Sequence, residues 1–575
     1  MSSATTSSAP AFTRSGPGWR YRVESMPVRR LQDFCIGALV VAAVGAVHAV
    51  NMTAAPGRTT DEGALVARAW LLGDSGFLGR STDWYDHPPL GWLLVGAWTS
   101  LTSAFDRAPT AVGAGRELML VAYVAGAGLL WVLGRRLGLD RWATAVALAV
   151  FGLAPIAVDL HRQVLLDNLA VPLVLAAFAL AGNPRRPLVA YAASGACLAA
   201  AVLTKETSLV FVPLLAWQHA RSSLPSTRRY GLVVGGTLFV LVCAAYLVPV
   251  AVAGELTAGD GHAGLLDGVG YRLTHLGGTE LLTSAVIALL PFAGLAVGAL
   301  VQTAWHRRES TGRSPAPLLA VGSLAAVAVV SWWVVEHRLV VPDSDAEPLQ
   351  QAETWAVTNL RDTPVRLVAD DAVWVDLVEA GLSPQQVAAA TAFDLPDDVG
   401  PPAPGPWSDY DVVLSTGTVR DIPEAAAALR GSVVLATFGT GADRVEIRRI
   451  GAPAGESGGA DVVAQGEGLA RNPSVLLTDE ARAALVAGEV DSRVMTVLVA
   501  LATDDPLEVV GFPADPAEID AGVPRRVVEL RFGSRDEARA AATVLEAQQA
   551  PYRPADIEID PDGQVTVTYV PAPLT

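Results

Sequence analysis

The stretch RELMLVAYVAGAGLLWVLGRR, residues 116–136, decides the fold class of this chain. Its apolar part, residues 116–133, is close to the roughly 20 residues that cross a bilayer as an α-helix. It ends at Arg135 and Arg136, and arginines beside a span mark the cytoplasmic side of a membrane. We therefore expect a transmembrane helix that runs inward.

The composition of the whole chain agrees with a membrane protein. Of its 575 residues, 51% are hydrophobic and only 17% are charged, whereas soluble globular proteins carry about 25% charged residues. This argues against an ordinary soluble enzyme. The formal net charge of -17 argues against nucleic acid as a partner, and three cysteines are too few for a disulfide framework.

Further apolar stretches run from residue 31 to about residue 335. The N-terminal tail, residues 1–30, carries five arginines, so we place it in the cytoplasm. About nine crossings then put every Arg-rich turn on one side. They are residues 31–50, 116–133, 142–158, 164–181, 188–203, 209–217, 232–252, 281–305 and 318–335.

Residues 90–105 are also apolar enough to cross the membrane. Counting them as a span would invert every later loop and place Arg135 and Arg136 outside. Trp92, Trp98 and the nearby Trp84 suit the interface between lipid and water. We therefore predict a membrane-lying or re-entrant helix in the first outer loop.

The C-terminal residues are predicted to lie outside the cytoplasm. Short β-branched runs alternate with helical patterns in residues 341–450, which predicts an α/β domain. Residues 451–466 are a Gly/Ala/Ser-rich linker, and residues 467–575 are predicted to form an α+β domain. The predicted fold class is a polytopic α-helical membrane protein, residues 31–340, with two extracytoplasmic domains. These domains bind or position an acceptor, or serve a structural role.

Three predicted outer loops carry ionisable or polar residues at the membrane surface, where charged groups usually face a protein interior or a wet cavity. The candidates are Asp61, Glu62, Asp86 and His87 in the first loop, Arg162, Asp167 and Asn168 in the second, and Lys205 in the third.

Asp61 and Glu62 are the candidate pair for acid/base chemistry. A carboxylate that faces a semi-enclosed, partly apolar cavity can act as a general base towards a hydroxyl. The alternative is a pair of solvated loop acids, or a helix N-cap followed by a first-turn acid.

Lys205 is the one lysine among 41 basic residues. A compact ammonium can meet a phosphate as a point charge, where Arg favours a planar fork. The alternative for Lys205, and equally for Arg162, is chance or a side chain that snorkels at the end of a span.

The remaining candidates have plain alternatives. Asp167 and Asn168 could form a structural polar contact between helices, and His87, beside Asp86, could be a ligand, an acid or neither. The sequence has no HExxH, CxxC or Walker A motif, nor a GxSxG nucleophile arrangement where it could work. We therefore predict no metal site and no cofactor, with a divalent cation left open.

In their order and spacing, these motifs resemble those of the GT-C membrane glycosyltransferases. The motifs are Asp61-Glu62 after the first span, YDHPPL at 85–90, RxxxxDN at 162–168 and LTKET at 203–207. The branch that they resemble contains the protein O-mannosyltransferases and lipid A aminoarabinose transferases, glycosyltransferase family 39. The resemblance covers residues 31–220 by motif and about 221–340 by topology.

The resemblance implies an enzyme of a bacterial cytoplasmic membrane that takes a sugar from a polyprenyl-phosphate donor on the outer face. It implies Asp61 as the catalytic carboxylate with Glu62 in support, and Lys205, with Arg162, as donor-phosphate contacts. The acceptor is a lipid, glycan or protein of the cell envelope. The aminoarabinose branch has an Arg where this chain has Ala64, a position that the nearby Arg58 or Arg68 could serve.

Two hypotheses from other classes remain. Transporters and flippases concentrate ionisable groups near the bilayer midplane, whereas here the charges gather at span ends, which favours the enzyme. The other hypothesis is a non-catalytic envelope scaffold that displays its exterior domains.

Overall fold

The computed structural model describes residues 27–53, 55–75, 87–181, 187–222, 225–252, 265–266, 270, 278–309, 347–390, 406–441, 444–451, 459–502 and 506–571. Up to residue 309 the described chain is helical. Its helices are α1 Pro27–Ala49, α2 Thr60–Ser75, α3 Leu90–Thr102, α4 Ala104–Arg107, α5 Ala111–Arg136, α6 Arg141–Leu153, α7 Pro155–Arg162, α8 Leu166–Ala181, α9 Pro187–Thr204, α10 Phe211–Ser222, α11 Pro225–Val252 and α12 Gly278–Glu309.

Five of the described helices are long and apolar enough to cross a membrane: Leu31–Ala49, Ala111–Arg136, Pro187–Thr204, Arg229–Val252 and Leu281–His306. The pair α6 and α7, bent by 62° at Pro155, would make a sixth. This is fewer than the nine crossings predicted, because α8 has only 16 residues and α10 only 12. The predicted last span, residues 318–335, lies outside the described residues.

One end of the helix bundle is held by arginines. Arg135, at the end of α5, pairs with Asp33 at the start of α1 (Nη2 to Oδ2, 2.6 Å). Arg136 donates to the carbonyl of Ala179 at the end of α8, and Gln302, late in α12, accepts from the loop after α5 (2.6 Å). We call this the arginine end. Helix α1 therefore begins where α5, α8 and α12 finish, which is the alternation that the arginine positions predict.

Helix α3 does not connect the two ends of the bundle. Its Gly91 lies against the side chains of Leu166, at the start of α8, and Thr204, at the end of α9. Just after α3, Arg107 of α4 pairs with Glu117 in the first turns of α5 (Nη1 to Oε1, 2.6 Å). Both ends of α3 thus lie opposite the arginine end, as expected of a helix that does not cross.

The first sheet of the C-terminal region has the strand order β2-β1-β3-β5-β4. Strands β1 and β2 are parallel, as are β1 and β3, and the other pairs are antiparallel. Its elements are α13 Pro348–Leu360, β1 Leu367–Ala369, α14 Asp371–Glu379, β2 Val387–Ala389, β3 Val412–Ser415, α15 Gly417–Asp421, α16 Ala425–Arg430, β4 Val433–Phe438 and β5 Val445–Arg449.

The second sheet has the order β6-β7-β8-β10-β9, parallel only between β6 and β7. Its elements are α17 Gly459–Ala470, β6 Val475–Leu477, α18 Asp479–Val486, α19 Ser492–Leu501, β7 Leu507–Gly511, α20 Pro516–Asp520, β8 Val527–Arg531, α21 Arg535–Glu546, β9 Asp556–Ile559 and β10 Gln564–Thr568.

The prediction of a linker over residues 451–466 is wrong in its second half, because helix α17 begins at Gly459. The helix forms there because its apolar face has a core to cover. Leu469 is buried in the core beneath the second sheet and Val462 packs against that core.

Helix α2 joins the membrane-embedded half to the first sheet. Leu65 and Val66 of α2 belong to the same apolar cluster as Leu377 of α14. Trp70 of α2 meets Trp374 of α14 edge to face, with ring centroids 5.9 Å apart, an arrangement that stabilises aromatic pairs. The first sheet therefore lies at the same end of the bundle as α2.

A buried carboxylate and an apolar contact of Ala517 attach the second sheet to the first. Glu518 of α20 accepts a hydrogen bond from Trp355 Nε1 of α13 (2.8 Å) and pairs with Arg526 (Nη2 to Oε1, 2.7 Å). Arg526 also donates to Asn359 of α13 (2.7 Å). A carboxylate satisfied from both domains fixes their contact.

Candidate active site

Glu62 is the centre of the polar contacts at the end of the bundle opposite the arginines, which we call the Glu62 end. It is fully buried, and Arg116 at the start of α5 holds both of its oxygens (Nε to Oε1, 2.8 Å; Nη2 to Oε2, 2.7 Å). The N–H of Val164 donates to Oε1 (2.9 Å), and Thr59 donates to Oε2 through its N–H and its hydroxyl (both 3.2 Å). A carboxylate with this many donors is held in place, so its role is to fix the loop rather than to accept a substrate proton.

Asp61 precedes Glu62 but is exposed. It lies in the first turn of α2, which begins at Thr60. Successive helical residues point about 100° apart, so the burial of Glu62 turns Asp61 outward. Among the described residues, none forms a hydrogen bond or an ion pair with the Asp61 carboxylate.

Lys205 lies in a second, buried cluster at the Glu62 end. Its Nζ donates to His87 Nε2 (3.1 Å), and His87 Nδ1 donates to Glu206 Oε2 (3.0 Å). Because an ammonium has donors only, His87 must accept at Nε2 and carry its proton on Nδ1. Asp167 Oδ2 lies 3.9 Å from Lys205 Nζ and accepts from Ser284 (3.3 Å). We call these five residues the lysine cluster.

The electrostatics of the lysine cluster favour an ionised Glu206. Burial by itself raises the pKa of Glu206, but the hydrogen bond from His87 and the charge of Lys205 bring that pKa below its usual value. The cluster therefore holds a cation between two carboxyl groups in a site almost closed to water, since Lys205 is 5% exposed.

The segment between α7 and α8 connects the two clusters. Val164 binds Glu62, and Asp167, three residues later, faces Lys205. Asn168 closes this turn: its amide donates to the carbonyls of Leu160 (2.8 Å) and Gln163 (2.9 Å), and its oxygen bonds His161 Nδ1 (2.8 Å). Asn168 therefore shapes the loop.

Arg162 makes contacts that differ from those predicted. Its Nη2 donates to the carbonyls of Val47 (2.9 Å) and Val50, and its Nη1 to that of Ala55 (3.1 Å). These are carbonyls at the end of α1 and in the turn that follows, which attract a cation. These contacts do not supply a phosphate site. The sequence could not distinguish carbonyl binding from phosphate binding, because both use a buried Arg at the end of a span.

Asp86 lies outside the described residues. Arg58, which could serve in place of the arginine missing at Ala64, pairs with the first-sheet domain. Its Nη1 lies 3.2 Å from Glu353 and 3.0 Å from Asp376. These contacts make Arg58 an anchor for that domain, and Arg68, on α2, is half-buried.

Sequence reasoning missed Arg116, Glu206 and Ser284. Arg116 carried a signal: it is an arginine at the outer end of a predicted span, against the rule that places basic residues inside. Glu206 follows Lys205 directly and could have been taken with it. Ser284 carried no signal, since a serine in an apolar helix is common.

Among the described residues, no group of three or more His, Cys, Asp or Glu is arranged to hold a metal ion. The expectation that the protein works without a metal or cofactor stays a prediction.

No protein-family model matches this chain, and no curated protein is a significant match. Among solved structures, the chain is similar to ArnT from Cupriavidus metallidurans in the apo state, with 13% identity and a TM-score of 0.45 over 75% of this chain and 100% of that one. It is similar to the same protein bound to undecaprenyl phosphate, with 13% identity and a TM-score of 0.38 over 75% of this chain and 99% of that one.

Proposed function

We propose that the protein is an integral membrane glycosyltransferase that moves a sugar from a polyprenyl-phosphate donor to a cell-envelope acceptor. The reaction takes place at the Glu62 end of the bundle, on the extracytoplasmic face of a bacterial cytoplasmic membrane. Asp61 is the base, and the C-terminal domains lie on the same side.

The observation that carries the proposal is the convergence of three distant segments. Lys205, His87 and Asp167 meet in the lysine cluster, and the α7–α8 segment ties that cluster to Glu62, the neighbour of Asp61. A buried cation at the same end of the bundle as a solvent-exposed carboxylate supplies what transfer from a lipid phosphate needs: charge stabilisation at the leaving group and a proton acceptor at the attacking group.

The proposed chemistry is a single displacement. The acceptor hydroxyl oxygen forms a bond to the anomeric carbon while the bond from that carbon to the lipid-phosphate oxygen breaks. The proton of the hydroxyl goes to the Asp61 carboxylate, and the bonding electron pair leaves with the polyprenyl phosphate. Attack opposite to the leaving group inverts the anomeric centre, and Asp61 returns its proton to water.

In this scheme Lys205 exchanges one anionic partner, Asp167, for another, the lipid phosphate. In the resting protein Asp167 balances its charge at 3.9 Å, a separation beyond a hydrogen bond. A lipid phosphate replaces Asp167 as the partner of the ammonium and gains charge-assisted hydrogen bonds in a dry site. His87, held by Glu206, fixes the direction of the Lys205 side chain.

The placement of these groups favours transfer over transport. A transporter of lipid-linked sugars gathers its ionisable groups near the bilayer midplane. Here Lys205 and Glu62 both lie at one end of the bundle, each within reach of a loop between helices.

The test compares a deletion strain that carries wild-type protein, Asp61→Asn or Asp106→Asn, with envelope glycans and lipid-linked sugars measured by mass spectrometry. Asp106 is the matched control, since it is an exposed first-turn acid of α4. We expect Asp61→Asn to remove the sugar from its acceptor and leave it on the polyprenyl carrier, and Asp106→Asn to behave as wild type.

Full transfer by a correctly inserted Asp61→Asn protein would contradict the proposal. Movement of the lipid-linked sugar across the membrane without any transfer would identify a flippase. An intact envelope after replacement of Asp61, Glu62 and Lys205 together would identify a scaffold.

A further inference from the structure

The first sheet has a crevice where open α/β sheets hold their ligands. Strand β1 leads through α14 to β2 on one side, and the chain then crosses to β3 on the other. The order of strands reverses between β1 and β3, and ligands of such sheets bind outside the carboxyl ends of the strands at this point. Asp370 follows β1 there, and Thr416 follows β3.

This crevice is already filled by the chain's own outer loop. Asp370 Oδ1 accepts from the hydroxyl of Thr60 (3.1 Å) and from the N–H of Ala372 (3.0 Å), and Oδ2 accepts from Thr416 (2.7 Å). A Cβ at Gly63 would lie 2.1 Å from the carbonyl oxygen of Asp371. The backbone of α2 therefore touches the first turn of α14.

Asp61 stands between two fixed neighbours as a result. Thr60, on one side, is bonded to Asp370 of the first-sheet domain, and Glu62, on the other, is bonded to Arg116 of the helix bundle. Asp61 itself is exposed, so its direction depends on the residues that hold its backbone.

We propose that Thr60 and Asp370 are positioning residues for Asp61, and that the first-sheet domain is part of the catalytic unit instead of a separate acceptor-binding module. The inference rests on the proposed function of Asp61. It differs from the expectation that this domain binds or positions an acceptor, because the start of α2 lies at the edge of the sheet where a ligand would bind.

The test uses the full-length protein in detergent with lipid-linked sugars extracted from the deletion strain as substrate. Thr60→Val removes the hydroxyl at nearly constant volume, Thr60→Ser keeps it, and Thr358→Val is the matched control on an exposed face of α13. We expect Thr60→Val to lower kcat by roughly tenfold with an unchanged KM, since a hydrogen bond to a charged group is lost and the base is misdirected. Thr60→Ser should recover most of the rate, and Thr358→Val should match wild type.

The outcomes separate this inference from the proposed function. If Asp61→Asn abolishes transfer while Thr60→Val keeps the wild-type kcat, positioning by Asp370 is wrong and the function stands. A Thr60→Val protein that unfolds at lower temperature but turns over normally when folded would also overturn it, because that is a structural role alone. If Asp61→Asn transfers normally, the proposed function fails first.

Discussion

At the scale of single residues, Asp61 and Glu62 are adjacent acids in opposite environments. Glu62 is enclosed by Arg116, Val164 and Thr59, whereas Asp61 is in contact with solvent. In the proposed mechanism Asp61 is available to a substrate, and Glu62 holds the start of α2 in place.

This division predicts opposite phenotypes for two conservative substitutions. Glu62→Gln breaks a buried ion pair and leaves Arg116 uncompensated, which costs about 3–5 kcal/mol. Asp61→Asn changes an exposed side chain and should alter stability by no more than about 0.5 kcal/mol. Thermal unfolding in detergent measures both, with the exposed Glu424→Gln as control.

Equal melting temperatures for Glu62→Gln and Asp61→Asn would mean that Glu62 is not the buried anchor described here.

Lys205 and Asp167 allow activity to be separated from stability. Lys205→Met leaves the buried Asp167 without its cation and should lower stability by about 3–5 kcal/mol. The double variant Lys205→Met with Asp167→Asn removes both members of this pair and should regain part of that loss, since Glu206 keeps its hydrogen bond from His87 but still lacks the cation. Neither variant should transfer sugar, because the cation that stabilises the leaving phosphate is gone in both.

The measurement pairs unfolding temperature with the release of sugar from extracted lipid carriers, with Arg539→Met at an exposed position as control. A stable double variant that still transfers sugar would remove Lys205 from the mechanism.

At the scale of elements, the non-crossing position of α3 sets the direction of every later helix. The side of the membrane on which each loop lies can be measured with single cysteines, introduced into a protein that lacks Cys35, Cys197 and Cys243. Asp106→Cys, in α4, should react with a membrane-impermeant maleimide from outside, and Leu137→Cys, at the arginine end, only after permeabilisation. Both side chains are exposed.

Labelling of Asp106→Cys only from the cytoplasm would mean that α3 crosses the membrane. Glu424→Cys, in the first-sheet domain, is the control and should react with the maleimide under the same conditions as Asp106→Cys.

The contact between Arg58 and the first-sheet domain should depend on pH. Burial and the nearby Asp376 raise the pKa of Glu353 to about 7, against the opposing charge of Arg58. The docked carboxyl thus binds a proton that it releases near its usual pKa of 4.5 when undocked. Stability is therefore highest below that value and falls as pH rises towards 7, by on the order of 1–3 kcal/mol.

Glu353→Gln mimics the protonated acid and should flatten the dependence. The unfolding temperatures of the variant and of wild type should agree at pH 5 and diverge by pH 8, with the variant the more stable. Parallel curves for the two proteins would show that Glu353 does not titrate in this contact.

At the scale of the whole molecule, periodic features were predictable and pairings between distant segments were not. Span lengths and the positions of Arg135 and Arg136 predicted the alternation of α1, α5, α8 and α12, because hydrophobic thickness and charge asymmetry act locally. The partner of Glu62, Arg116, is 54 residues away, and the partner of Thr60, Asp370, is 310 residues away. Nothing in a single sequence couples such positions.

The same reason limits what the sequence could predict at the site. Arg162 and Lys205 both stand at span ends and both looked like phosphate ligands. Only their surroundings separate them: carbonyls at the end of α1 and in the following turn around Arg162, and a histidine with carboxylates around Lys205.

The proposed function depends on where a lipid phosphate binds, and an experimental structure of the full chain with undecaprenyl phosphate measures this directly. We expect a phosphate oxygen within hydrogen-bond distance of Lys205 Nζ, about 3 Å, with Asp61 facing the same cavity. A phosphate bound at the arginine end, or separated from Asp61 by packed helices, would contradict the account.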